Sequence, residues 1–586
     1  MRVRALCFTV VALAACSGPK VDPAGNDRDG SAGGGERDGA AVMPPGATGR
    51  ARLEVSPDNE VLLVDRGQSA TRAFTVTLVR ANGTTADVTA RAVLTADNAM
   101  AGSLSGAVFK SAALDTNMVL FTRIDATVTE GGETLHGRAN LTLVWLRTTG
   151  DSQDFFFTLP FGAPAQSKGL SFTTYIQSID VFFAVDTTSS MGIPIGTLRS
   201  GLRDTIIPAV KKAAVKEAWF GVGAIEDFPA DPFGNANYRA PAVDDQPFIL
   251  VAPMSGDVMA AQAAIEKLIL PDFLPTLVAP RGSGGDQPEA IVEALYQIAT
   301  GEGITGVAEV PAHKGKGKGG VEFREGAQPI VVAITDAPSH TKDEPDDVCL
   351  TNYDGAVARA AHTRAQAVEA LNAVCAKVVG IATLWPGNYY KGPTCTPATE
   401  LTRLARATEA RVPPEAWDVP ARPTGCAAGR CCTGQAGAGE APDPDGLCPL
   451  VFKNDNKSNG LGGQVVSGIT QLARFGAFDV VATTAGDALP GGKSTAELIR
   501  AVTPMDATPP PPPPVIKPPV VRDGKFTGVL PGTVVRFTVE AKNDVVMETG
   551  EPQVFHARIK LRAGGCADLD ERDVIILVPP KKPVIL

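Results

Sequence analysis

Ile179-Asp180-Val181-Phe182-Phe183-Ala184-Val185, running straight into Asp186-Thr187-Thr188-Ser189-Ser190-Met191, is the stretch that decides the fold. Only Asp180 interrupts its apolar run, so a strand formed here has both faces covered rather than one face in water. Similar runs recur at Trp219 to Ile225, Pro329 to Thr335 and Lys377 to Leu384. Between them lie helical stretches such as Leu198 to Glu217, Pro288 to Thr300 and Gly355 to Val374. Buried strands alternating with crossover helices make a parallel, doubly wound α/β sheet. A last helix, Gly460 to Phe475, and the run Phe478 to Thr484 are expected to close it. Such sheets collect ligands outside the carboxyl ends of their strands, so the residues just after each run carry the chemistry.

After the first run, Asp186 is followed by hydroxyls at the second and fourth positions, Thr188 and Ser190, which gathers three hard oxygens on one tight loop. A small hard cation takes such ligands, and Mg2+ keeps several waters while accepting one or two carboxylates directly. A polar strand-to-helix turn capped by Asp186 would leave the same local pattern. Further carboxylates sit at the other loops. These are Glu226-Asp227-Phe228-Pro229, Gly284-Gly285-Asp286-Gln287-Pro288-Glu289 and Thr335-Asp336-Ala337.

In order and spacing these strings resemble the von Willebrand factor A (vWA) domain. The Asp186 string looks like its metal-ion-dependent adhesion site (MIDAS), and the GGDxPE string is similar to that of integrin β subunits and related bacterial A domains. The resemblance covers roughly residues 177–484. It implies a Rossmann-like domain in which Asp186, Thr188, Ser190, Glu289 and Asp336 hold Mg2+ (or Mn2+ or Ca2+). It also implies a neighbouring second cation site bordered by Asp227, Asp286, Glu289 and the carbonyl of Pro288. Gly284 stands where the integrin pattern has asparagine, so that second site lacks a ligand. Ile193 and Pro194 stand where integrins carry paired aspartates, so the adjacent regulatory site is expected to be missing. In that family the cation keeps one position open for an acidic group of a protein partner.

At 586 residues the chain exceeds one core, and roughly 100–200 residues per domain suggests about three or four. From Ala51 to Arg147, short alternating runs such as Ala73 to Val79 and Arg123 to Val128 are broken by Asn82-Gly83 and Gly131-Gly132, a β-sandwich pattern. Asn82 to Thr89 resembles a stretch of bacterial Ig-like domains. The expected order is therefore a signal peptide at 1–15, a tether at 16–50, an Ig-like sandwich at 51–148 and the vWA-like domain at 172–486. A Gly/Pro/Cys-rich insertion at 413–447 interrupts that domain. A Pro-rich linker at 487–521, stiffened by Pro509 to Pro514, and a second sandwich at 522–586 follow. The fold class is multidomain, a doubly wound α/β domain flanked by all-β domains.

Arg2 and Arg4 precede an apolar run that ends in Leu13-Ala14-Ala15-Cys16, too short to span a bilayer as a permanent helix. This end resembles the bacterial lipobox, which implies a lipid on Cys16 and, with Ser17 after it, an outer-membrane or cell-surface location. An ordinary signal peptide with an incidental cysteine is the alternative. The eight cysteines beyond Cys16 suit disulfides in an oxidising compartment, with zinc as the rival reading.

A net charge of −10 lacks the basic footprint that nucleic acid requires. The five histidines are dispersed, no HExxH, GxSxG or Walker string occurs, and catalysis is not expected. His340, the one near the metal face, reads as a loop histidine shaping the rim, with a general base as the weaker alternative. Lys314, Lys316 and Lys318 read as a solvated loop. Two functions stay open: cation-dependent binding of a protein at the cell surface, or a structural lipoprotein whose metal only stabilises the fold.

Overall fold

The computed structural model describes residues 50–147, 153–212, 216–234, 244–268, 284–345, 349, 351–384, 394–419, 421–455, 459–510 and 518–581. The signal peptide, Cys16, nearly all of the tether and most of the polyproline run lie outside the described residues. Among those described, no helix is long and apolar enough to cross a membrane.

The first domain is all β. Its longest strands, Met118–Glu130 and Glu133–Leu146, pair antiparallel from Glu133↔Glu130 to Trp145↔Met118 around the Gly131-Gly132 turn. Alternate residues turn inward to a core that contains Phe74, Phe109 and Trp145. The Trp145 indole donates to the Ala112 carbonyl at 3.0 Å, so its polar edge is satisfied inside.

Among the described residues the sheet of the α/β domain has six strands, β1 (Ser178–Asp186), β2 (Glu217–Ile225), β3 (Ile249–Ser255), β4 (Gln328–Thr335), β5 (Lys377–Leu384) and β6 (Val451–Asp455). Their order is β3-β2-β1-β4-β5-β6, parallel except for β3. The two-sided burial read from β1 is observed residue by residue. Ile179, Val181, Phe183 and Val185 face one core with α1 (Gly192–Gly201), α2 (Val258–Glu266) and the final helix, while Phe182 and Ala184 face the other with α3 (Ile291–Thr300), α4 (Arg364–Ala373) and α5 (Pro397–Ala407). The final helix, α6 (Leu461–Phe475), presents Leu461, Val465, Ile469 and Leu472 to the first core.

Two expectations are corrected. Phe478–Gly486 does not close this sheet: it pairs antiparallel with Gln553–Ala563 and Lys525–Val529, and only Val480 of its nine residues is buried, too polar a strand for a two-sided layer. The sheet closes instead with β6, directly after the Cys-rich insertion. The segment 487–521 is not simply a linker, because Ile499–Thr508 is a strand paired with Val534–Ala541. Pro504 sits there at a register shift on a sheet edge, where its missing N–H costs no ladder bond.

The second sandwich therefore draws on both flanks. Phe155–Thr158 and Gln166–Thr173 lie before the α/β domain, and the remaining strands lie after it. Gln166–Thr173 pairs with Val534–Ala541, and Phe155–Thr158 with the last strand, Ala567–Val578. The α/β domain is thus inserted into a loop of this sandwich, and Phe157, Phe172 and Phe537 share one continuous core with β1. Cys375–Cys566 ties the two covalently. The other six cysteines pair as Cys349–Cys395, Cys426–Cys432 and Cys431–Cys448, which removes the zinc alternative.

Candidate metal centre

β1 lies between β2 and β4, so the chain reverses direction across the sheet there and leaves an opening at the carboxyl ends of β1 and β4. Asp186 ends β1 fully buried. Its Oδ1 accepts from the backbone N–H and hydroxyl of Thr188 at 3.0 and 2.6 Å, and its Oδ2 accepts from the Thr335 hydroxyl at 2.7 Å. No side chain caps the short turn Ser189–Met191 or α1, so Asp186 is not the helix cap that the local pattern also allowed.

Ser190 donates from Oγ to Asp336 Oδ1 at 2.9 Å and joins the loop after β1 to the loop after β4. Glu289 is pinned against that second loop: its N–H donates to Pro338 at 3.0 Å, and its carbonyl accepts from the His340 N–H at 2.8 Å. Its carboxylate is buried beside Thr188, with Oε2 lacking any hydrogen-bond partner. Gly284 explains part of the GG string. Its φ is +79°, and a Cβ there would lie 2.8 Å from Glu289 Oε1. A cavity of about 210 Å³ opens over this group, lined by Thr188, Ser190, Glu289 and Asp336 together with Asp286 and Gln287. Asp186 reaches it through Thr188.

Beside this lies a second cluster. Asp227, Asp286 and His340 bring their ligand atoms within 4.8 Å of one another. His340 is not a rim histidine: its side chain is 2 % exposed, and Nε2 stands 3.0 Å from Asp286 Oδ1 and 3.7 Å from Asp227 Oδ2. Pro288 is buried next to Glu289. Besides His340's burial, sequence reasoning missed Thr335, Asp245 and Tyr353, whose hydroxyl donates to Asp227 Oδ1 at 2.7 Å. The tandem Asp244-Asp245 was the one visible signal for Asp245; Tyr353 carried none.

The electrostatics are those of a site short of positive charge. Burial, then Asp186, Asp227 and Asp245, pushes the Glu289 carboxyl well above its ordinary range. Burial lifts Asp186 and brings Asp227 up to about 7, despite His340 and Tyr353. Among the described residues no lysine or arginine pairs with Asp186, Asp227 or Glu289. A divalent cation supplies what such a donor set lacks, and the unpartnered Glu289 Oε2 is the kind of atom that it would occupy.

No protein-family model matches this sequence, and no curated protein matches it. Solved structures similar to the chain include the pilus adhesin SpaC of Lactobacillus rhamnosus GG in an open conformation, at 9% identity and TM-score 0.29, covering 78% of this chain and 47% of that one. A proximal thread matrix protein of the mussel byssus follows at 13% identity and TM-score 0.25, covering 53% and 50%. The ArnB paralog VWA2 of Sulfolobus acidocaldarius matches at 7% identity and TM-score 0.23, covering 84% and 76%. The chain spans about half the length of the first two. At such scores the likeness is faint, and the class of protein defined by fold and site rests on the sheet order and the acid cluster: a β-rich multidomain chain carrying one α/β domain with a candidate metal centre at its switch point.

Proposed function

We propose that this chain is an exported, surface-exposed lipoprotein whose vWA domain binds a divalent cation at a MIDAS and uses it to hold a protein, without catalysis. The observation that carries the reading is Glu289, a buried carboxylate with one oxygen unpartnered, set among Asp186, Thr188, Ser190 and Asp336 at an opening onto solvent. Thr188, Ser190, Glu289 and Asp336 would hold Mg2+, or Mn2+ or Ca2+, with Asp186 behind them fixing Thr188. The ion would supply a charge for an acidic residue of the partner to complete its shell. Chain residues do the rest: the Ser190–Asp336 bond keeps the two loops at a fixed separation, and Thr335 holds Asp186. Anchorage by a lipid on Cys16, at the outer membrane or cell surface, completes the reading, with no nucleic-acid partner.

The test uses the mature chain from Cys16 onward, without lipid, and Ser190→Ala, an exposed position that should fold. Calorimetric titration with Mg2+, Mn2+ and Ca2+ should give saturable binding in the wild type that Ser190→Ala weakens. Wild-type protein that folds and binds none of the three would refute the site. Cation binding that leaves capture of candidate surface proteins unchanged by chelator would favour the structural role instead.

A further inference from the structure

The chain after β4, which holds Glu289 in place, is itself fastened from its outer side by a disulfide. The Glu289 backbone is gripped by Pro338 and His340. His340 donates from ring Nδ1 to the Thr351 carbonyl at 2.9 Å, and that carbonyl also accepts from the Thr341 N–H at 3.1 Å. The Tyr353 N–H returns a bond to the Thr341 carbonyl at 2.9 Å. Two residues before Thr351 stands Cys349, joined to Cys395. Cys395 is buried directly ahead of α5, whose N-cap Thr396 accepts from the Thr399 N–H. A path of bonds therefore runs from the start of α5 through Cys395, Cys349, Thr351 and His340 to Glu289. A second tie lies beside it: Arg364 of α4 pairs with Glu344 and, at 2.7 Å, with Glu400 of α5. That tie reaches Asn352 through two hydrogen bonds with Glu344, so cutting the disulfide loosens this part of the chain without releasing it.

The four disulfides differ in how readily a thiol opens them. Exchange needs an attackable sulfur and a leaving thiolate that its surroundings stabilise. Cys426, Cys432, Cys431 and Cys448 are all buried. Cys375 is half-buried, but its partner Cys566 sits in a turn with no helix end to favour a thiolate. Cys349 is half-buried on the wall of a small surface cavity, and its partner Cys395 lies at the amino end of α5, where the helix dipole does favour one. Arg364, Arg403, Glu344 and Glu400 line the same cavity, two charges of each sign, so they leave that preference standing.

We infer that Cys349–Cys395 is a redox control on the cation site: closed, it holds Glu289 in position, and its reduction by a dithiol lowers the affinity for the ion. The inference rests on the cation binding proposed for that site. In the exchange a thiolate of the dithiol attacks Cys349, and Cys395 leaves as a thiolate and takes a proton. The dithiol's second thiolate then attacks its own sulfur in the mixed disulfide and releases Cys349. Two electrons and two protons pass to the cysteines, and the dithiol ends as a disulfide. Residues that orient metal ligands from outside weigh about 10–100-fold in affinity, and the surviving Glu344 tie puts the expected loss at the lower end, about tenfold.

The test uses the mature full chain. Graded dithiothreitol, then alkylation and peptide mapping, should label Cys349 and Cys395 before the other disulfide-bonded cysteines. Titration with Mg2+ and Mn2+ should give a Kd about tenfold weaker both in the selectively reduced protein, where reoxidation restores it, and in Cys349→Ser with Cys395→Ser. Cys375→Ser with Cys566→Ser should match wild type. Labelling of Cys349 and Cys395 last, or a double variant at these positions that binds as wild type does, overturns the control alone. Wild-type protein that binds neither cation overturns the proposed site and the control with it. Hydrogen exchange in chelator adds a readout that needs no ion: the His340, Thr341 and Tyr353 amides should exchange faster on reduction, and unchanged protection overturns the inference.

Discussion

Glu289→Gln separates a metal ligand from a structural carboxylate, because the two roles predict opposite signs. In the metal-free chain Glu289 is buried among Asp186, Asp227 and Asp245, and its charge is opposed both by burial and by those neighbours. It escapes by taking a proton, so the strain is capped at about 1.4 kcal/mol for each pH unit by which its pKa lies above its ordinary value, up to the working pH. Replacing it with a neutral isostere that keeps an oxygen near Thr188 should leave the chelated protein as stable as wild type or more so, by about 1–2 kcal/mol. With metal the order reverses. At a free cation concentration of about a hundred times Kd the wild type gains about 2.7 kcal/mol, which at roughly 2–4 °C per kcal/mol is a rise of about 5–11 °C in Tm. Glu289→Gln should gain almost none of it. Differential scanning calorimetry of both proteins, in chelator and in Mg2+, reads all four values. A variant destabilised equally in both conditions would make Glu289 a structural residue and refute the reasoning.

Chelated wild-type protein should lose stability as pH rises. Asp227 sits at about 7 in the folded chain against roughly 3.9 unfolded, so the folded state binds more protons between those values and stability falls across that window. Glu289 acts in the same direction, and urea midpoints at pH 5 and pH 7.5 in chelator check the sign. Gly284→Ala forces a side chain into left-handed backbone and against Glu289, so it should cost about 1–2 kcal/mol in chelator and weaken Mg2+ affinity besides, measured by titration. Cys375→Ser with Cys566→Ser removes the covalent tie between the α/β domain and its host sandwich and should lower stability by about 2–5 kcal/mol. Cation affinity should survive it, because the tie is absent from the metal centre; a lost titration signal in the folded double variant would contradict that independence.

What was legible follows from which interactions are local. The run Ile179 to Val185 announces its environment because burial on both faces needs an apolar residue at nearly every position, whatever lies against it. The edges of the same sheet are quieter. β3 carries Pro253 and runs antiparallel, and β6 is Val-Phe-Lys-Asn-Asp, with Lys453 only half-buried; each has a single neighbouring strand and can afford polar residues. Ile499–Thr508 was hidden by Pro504 for the same reason. The candidate metal centre was readable because the loops after β1, β2 and β4 each follow a buried strand and carry a carboxylate, while the Gly-Gly-Asp string announces the remaining loop before α3. His340 was harder, since its burial depends on Tyr353 and the Thr351 carbonyl closing over it from a later loop.

The nested sandwich lies at the far end of this scale. Thr173 pairs with Val534 and Gln166 with Ala541 across some 360 intervening residues, and neither strand's pattern names its partner. Alternation states that one face is buried; it cannot state against which of several alternating strands. The consequence is functional. A domain spliced into a sandwich by both of its ends, sharing that sandwich's core and bound to it through Cys375–Cys566, is held against reorientation relative to its host. Under the proposed binding role, load applied at the carboxyl ends of β1 and β4 would pass through the parallel sheet into paired strands on both flanks, an arrangement suited to holding a partner.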